Sequence, residues 1–249
     1  MNLVWLYSLV SVFIVSLISL VGLFTLGIAI GKLRKFLIYT ISFSAGALFG
    51  DAFIHLLPEI IDNGGFGVMS AIYILSGILL FFILEKVIHW QHCHMPITKD
   101  HVHPFAYMNL IGDSLHNFID GLIIAGSYLI SIPAGVATTI AVIFHEIPQE
   151  IGDFGVLVHG GFSKGKAIFL NFITALTAVL GAIFALVLSN YMSNIEGYLI
   201  SLAIGGFLYI AGSDLIPELH KETKVSVSLI QILTFILGVA VMMCLLLLE

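Results

Sequence analysis

Residues 105–130 read FAYMNLIGDSLHNFIDGLIIAGSYLI, and residues 133–158 read PAGVATTIAVIFHEIPQEIGDFGVLV. Each run is long enough to cross a bilayer, whose hydrocarbon core takes about 20 residues of helix. Yet the first holds His116-Asn117-Phe118-Ile119-Asp120, and the second holds His145-Glu146-Ile147-Pro148-Gln149-Glu150. Ionisable side chains at membrane depth are costly, and where they occur they face a polar cavity or an ion path. Imidazole, carboxylate and amide at helical spacing on consecutive spans make a ligand set for a divalent metal, placed where a soluble ion must cross.

The rest of the chain agrees with a membrane setting. It is 59% hydrophobic and 10% charged over 249 residues, with a mean hydropathy of +1.12. Soluble domains carry about 25% charged residues. Eight apolar stretches are long enough to span: 3–30, 36–61, 66–89, 105–130, 133–158, 166–190, 195–219 and 226–248. They are continuous rather than ten-residue alternations, so the expected fold is all-α and integral to the membrane, not a barrel. No stretch reads as a separate soluble domain, and residues 1–249 are expected to form one transmembrane unit. No nucleic-acid partner is expected; the lipid bilayer is.

Charge sets the expected orientation. The nine basic residues are Lys32, Arg34, Lys35, Lys86, Lys99, Lys164, Lys166, Lys221 and Lys224. All lie in or beside the connections after spans one, three, five and seven. Basic residues stay on the cytoplasmic side, which makes those connections cytoplasmic and both termini extracytoplasmic. The first apolar run is followed, not preceded, by positive charge, the reverse of a cleaved signal, so it is expected to remain as a helix. The largest loop, 90–104, is then cytoplasmic and carries His92, Cys93, His94, His101 and His103. Such a tract either binds metal or is a solvated polar linker. With Cys244 as the other cysteine, no disulfide framework is implied.

Spans two and seven resemble each other. Gly46 to Glu59 can be laid over Gly205 to Glu218 so that His55 meets Asp214, Pro58 meets Pro217 and Glu59 meets Glu218. His116-Asn117-x-x-Asp120 and His145-Glu146-x-x-Gln149 correspond in the same way on spans four and five. Each pair enters the membrane from opposite faces. Inverted repeats with proline-interrupted helices belong to secondary transporters, with the site near the midplane; chance similarity over so short a match is the alternative.

Helical geometry puts residues i, i+3 and i+4 on one face. His116, Asn117 and Asp120 therefore share a stripe, with Asp113 a turn earlier. His145 pairs with Gln149, Glu146 with Glu150, and Asp153 extends the line. Imidazole with carboxylate suits Zn²⁺ and neighbouring first-row ions, and the absence of thiolate favours release over retention. Pro148 frees the carbonyl of Phe144, which becomes an extra ligand, a bend point or a packing kink. Asp113, Glu150 and Asp153 either support the ligands or carry protons. Asp51, His55 and Asp214 are either waypoints for the ion or simply hydrogen-bond neighbouring helices, and Glu59, Asp62 and Glu218 lie near helix ends.

At these residues the chain resembles the ZIP (Zrt-, Irt-like protein) metal transporters. The matching features are His116-Asn117-Phe-Ile-Asp120-Gly121, His145-Glu146-Ile-Pro148-Gln149-Glu150, His55-Leu-Leu-Pro58-Glu59 and the His-bearing loop after the third span. The resemblance implies uptake of Zn²⁺, or alternatively Fe²⁺, Mn²⁺ or Cd²⁺, across the plasma membrane into the cytoplasm. It also implies a homodimer, an elevator-like movement of one bundle against another and a two-metal site between helices four and five. In that site His116, His145 and Gln149 hold one ion, and Asn117, Asp120 and Glu146 hold the other. Many members have His where this chain has Gln149, which weakens the first site. Two rival readings are an intramembrane metalloprotease and a metal sensor. The first needs His-Glu-x-x-His; Gln149 replaces its second His and Pro148 interrupts its helix, so no enzyme is expected.

Overall fold

The computed structural model describes residues 2–25, 30–64, 66–89, 104–192 and 195–248. Every regular element among them is helical. They fall into eight rods. Helix α1 runs Asn2–Ile18 and continues through a tight turn to Thr25. Helix α2 runs Ile30–Gly50, a π-helical stretch Asp51–Leu56 and Leu57–Gly64. Helices α3, α4 and α5 are Val68–His89, Pro104–Ile130 and Ile132–His159. Helix α6 is Lys164–Ala175 with Thr177–Leu188, α7 is Ile195–Tyr209 with π-helical Ile210–Leu215 and Ile216–Leu219, and α8 is Val225–Leu245. Lys32, Arg34 and Lys35, expected in a connection, lie in the first turns of α2. The His-bearing tract of His92, His94, His101 and His103 lies outside the described residues.

Six of the rods, α1, α2, α3, α6, α7 and α8, are long and apolar enough to cross a membrane. Helices α4 and α5 have the length, 27 and 28 residues, but their apolar character is diluted by the polar residues quoted above. Only Ser131 separates them. Its extended backbone breaks the helix, and its hydroxyl accepts from the Ala134 amide at 3.1 Å, capping α5. So short a connection forces an antiparallel pair. Fourteen residues separate His116 from the end of α4, and thirteen separate the start of α5 from His145. At about 1.5 Å per residue both histidines lie about 20 Å from the hinge, at one depth.

Glycines set the helix contacts. A Cβ on Gly121 of α4 would lie 1.9 Å from the Ala178 carbonyl oxygen of α6, and one on Gly181 would lie 1.9 Å from that of Phe118. Helices α2 and α8 meet in the same way at Gly46 and Gly238, and α3 and α7 at Gly77 and Gly205. Between helices surrounded by lipid, small residues that let backbones touch supply the packing that the hydrophobic effect cannot. Helices α1, α4, α5 and α6 form one bundle and α2, α3, α7 and α8 a second; they meet where α2 packs on α5 and α7 on α4.

Pro148 stays inside an unbroken α5. The Phe144 carbonyl that it frees accepts from Ser44 Oγ of α2 at 2.6 Å, a hydroxyl proton it shares with the Thr40 carbonyl at 2.7 Å. Of the roles open to that carbonyl, the observed one is a hydrogen bond across the bundle contact.

Candidate metal centre

Because His116 and His145 share a depth on antiparallel neighbours, their motifs face each other. His116 Nε2 lies 3.3 Å from His145 Nε2, 3.7 Å from Asp120 Oδ2 and 3.6 Å from Glu146 Oε1. His145 Nε2 lies 3.3 Å from Asp120 Oδ2 and 3.4 Å from Glu146 Oε1. All four donor atoms fall within 4.8 Å of one another. Zinc bonds of about 2.0–2.1 Å in a tetrahedron require ligand atoms about 3.3–3.5 Å apart. The five distances match those edges within a few tenths of an ångström.

The surroundings aim the donors inward. His145 Nδ1 faces the Ala141 carbonyl one turn back at 3.4 Å; a proton held there leaves Nε2 with its lone pair toward the centre. The Phe81 ring of α3 meets His116 edge-on at 5.6 Å between centroids, and Phe207 of α7 meets His145 at 6.3 Å. Both phenyl groups are buried. Asp120, His145 and Glu146 are buried as well, and His116 keeps a 14% exposed side chain. Four lone-pair donors this close, out of water, repel unless a proton or a cation lies among them.

Other candidates surround this group without joining it. Asn117 is buried and turned away, donating from Nδ2 to Asp113 Oδ1 at 2.8 Å and to the Asp113 carbonyl at 3.1 Å. Asp113, Glu150 and Asp153 lie in the interior of the same bundle, where Asn109 donates to Asp153 Oδ1 at 2.9 Å and Asn171 donates to the Glu150 carbonyl at 3.2 Å. Gln149 is half-buried, on the wall of a cavity of about 370 Å³. His116 and His145 line that cavity together with Phe81, Asn109, Asp113 and Asp153, and Asp214 and Glu218 line it from α7. Asp214 is exposed there, whereas Asp51 and His55 are buried on α2 away from it. Of the six residues in the two expected ligand sets, four converge and Asn117 and Gln149 stand beside them.

Several contributors carried no motif. Phe81 and Phe207 look like ordinary apolar residues in their helices. Ser44 gives no signal until its partner, the proline-freed carbonyl of Phe144, is considered. Glu85 was legible in principle, as an acid near the end of an apolar run; the Tyr209 hydroxyl donates to its Oε2, and both line the cavity.

The sequence profile described as ZIP Zinc transporter matches residues 2–105 and 91–246 of this chain. The chain is 31% identical to the zinc transporter zipt-7.1 of Caenorhabditis briggsae, an alignment covering 96% of it and 78% of that protein. It is 31% identical to the zinc transporter ZIP13 of Danio rerio, with 96% and 86% covered, and 29% identical to ZIP13 of Homo sapiens, with 96% and 80% covered.

Proposed function

The chain belongs to the ZIP zinc transporter family, and from that premise we propose that it carries Zn²⁺ into the cytoplasm through the group formed by His116, Asp120, His145 and Glu146. Members of the family are transporters, not enzymes, and the protein is a multi-pass membrane protein with zinc as its transported ion. The observation that carries the proposal is the spacing of the four donor atoms, which suits a tetrahedral dication.

In this reading residues 1–249 form one domain of eight spans, with both termini outside. The distribution of basic residues supports that orientation. The cavity supports the direction. It is lined by Asp153, Asp214 and Glu218, near the ends of α5 and α7 that lead to Lys164, Lys166, Lys221 and Lys224. Zinc bound between the histidines therefore has an open, carboxylate-lined route toward the basic, cytoplasmic face. The carboxylates along it offer the ion successive weak partners, which favours release over retention.

A two-ion centre is the fuller form of the proposal. Asn117 Oδ1 receives no hydrogen bond among the described residues, which leaves it an acceptor for a second position shared with Asp120 and Glu146. Family resemblance supports a homodimer, the plasma membrane is the location this reading assigns, and the N/O donor set also admits Fe²⁺, Mn²⁺ or Cd²⁺.

Uptake of radiolabelled zinc into proteoliposomes holding the full chain tests the proposal. Wild type should accumulate zinc and His145→Ala should not; equal uptake by the two would remove this centre from the mechanism.

A further inference from the structure

Gly205, Gly206 and Phe207 follow one another on α7, and each meets a different neighbour. At Gly205 the helix touches α3: a Cβ there would lie 2.1 Å from the Ile74 carbonyl oxygen. Gly206 makes room for the Phe81 ring, whose Cε2 would lie 2.5 Å from an added Cβ. Phe207 is buried and turns its own ring to His145. Phe81 is thereby held edge-on to His116, with the two ring planes at 90°. The metal donors stand on α4 and α5, but their phenyl neighbours stand on α3 and α7.

The four donors fit one coordination number better than another. Their atoms lie 3.3–3.7 Å apart in five pairs, close to the edges of a tetrahedron. Adjacent ligands of an octahedron at similar bond lengths are only about 3 Å apart. An ion that prefers six ligands would have to draw the donors together and add two waters. Room for those waters is restricted. The cavity reaches the centre along His116 and His145, while Asp120 and Glu146 do not line it. Asp120, Glu146 and His145 are all buried, as are both phenyl groups beside them. The rings present carbon alone, so neither can stand in for a water as a ligand.

We infer that Phe81 and Phe207 set the metal preference of the centre, by filling the space in which an ion would gather its fifth and sixth ligands. This rests on the proposed zinc binding between His116 and His145 and adds what makes that centre selective. The phenyl groups touch no metal. They hold the shell to the four donors, which zinc accepts, whereas manganese belongs with octahedral oxygen sites. Gly206 is part of the same device, because a side chain there would displace the Phe81 ring.

Cobalt tests the inference, because tetrahedral Co²⁺ absorbs strongly in the visible and octahedral Co²⁺ weakly. The detergent-solubilised full chain is titrated with Co²⁺, and the spectrum of His145→Ala is subtracted to leave the central site. Wild type should give the strong band. Phe81→Ala and Phe207→Ala should each weaken it severalfold. In proteoliposomes holding either variant, Mn²⁺ should compete with labelled zinc at severalfold lower concentration than in wild type. Phe81→Leu, which keeps apolar bulk, should retain both the band and the zinc preference. Gly206→Ala should behave as Phe81→Ala, and it supplies the reading if removing a phenyl group prevents folding. A weak, octahedral spectrum in wild type overturns the inference. So do phenyl or glycine variants that fold yet keep the band and the zinc-to-manganese ratio. Identical spectra for wild type and His145→Ala would instead strike the central site, and the inference with it.

Discussion

The Nε2 atoms of His116 and His145 lie 3.3 Å apart, although they belong to different helices and stand 29 residues apart in the chain. Their approach follows from a one-residue connection, nearly equal runs of fourteen and thirteen residues on either side of it, and phenyl groups pressing on each ring. The pair is held at the edge length of a zinc tetrahedron before any ion is considered.

Removing one of these donors should affect binding directly. His145→Ala is expected to lower zinc affinity by more than the roughly 10–100-fold loss typical of groups that only orient ligands, with uptake abolished. Glu146→Gln, which keeps the shape but weakens the charge, should lower affinity less than His145→Ala. Isothermal titration of the detergent-solubilised protein with zinc checks the order. Equal affinities for all three forms would show that the ion binds elsewhere.

Gln149 lies on the cavity wall beside the cluster, and a neutral amide is a weaker partner for zinc than imidazole. Gln149→His should therefore shift preference toward zinc and away from manganese, since imidazole suits the former and oxygen donors the latter. Competition of each cold ion against labelled zinc in vesicles reads the shift. A variant whose zinc-to-manganese ratio does not move would place the wall outside the selective step.

The all-helical class was legible because long apolar runs leave a membrane chain few alternatives. The shared depth of His116 and His145 was legible too, from run lengths and the brevity of the link between them. How the polar side chains divide was not. Spacing puts Asn117 on the same stripe as Asp120, but the amide instead takes up Asp113, a choice between rotamers that no pattern records. The π-helical stretches were hidden for a similar reason: an i→i+5 bond leaves no period in the sequence, and only Pro58 and Pro217, each two residues past a stretch, marked the places. Reading Pro148 alone left the Phe144 carbonyl free, because Ser44 is 100 residues away in the chain.

That Ser44 contact gives a stability prediction. Ser44→Ala removes the hydroxyl that satisfies the Phe144 carbonyl in a helix where Pro148 has already removed the usual donor. An unsatisfied buried polar group costs about 1–3 kcal/mol. The unfolding temperature in detergent should fall accordingly, and Ser44→Thr, which keeps a hydroxyl, should recover part of the loss. A melting curve for Ser44→Ala that overlays wild type would show that water replaces the serine at no cost.

Glycine substitutions separate backbone approach from mere flexibility. At Gly121 a Cβ would lie 1.9 Å from the Ala178 oxygen, so α4 and α6 cannot keep their distance if the residue carries a side chain. Small-to-large changes in packed interiors cost about 1–3 kcal/mol or more, and this one meets backbone, which cannot rotate aside. Gly121→Val should unfold well below wild type, and because Gly121 follows Asp120 it should also disturb the donor set. At Gly155 nothing lies within 4 Å of the added atom. Gly155→Ala should leave stability unchanged or raise it by up to about 1 kcal/mol, as alanine favours helix over glycine. Thermal unfolding of the two purified variants in one detergent makes the comparison, and equal destabilisation at both sites would mean that chain stiffness, not contact between helices, is what these glycines provide.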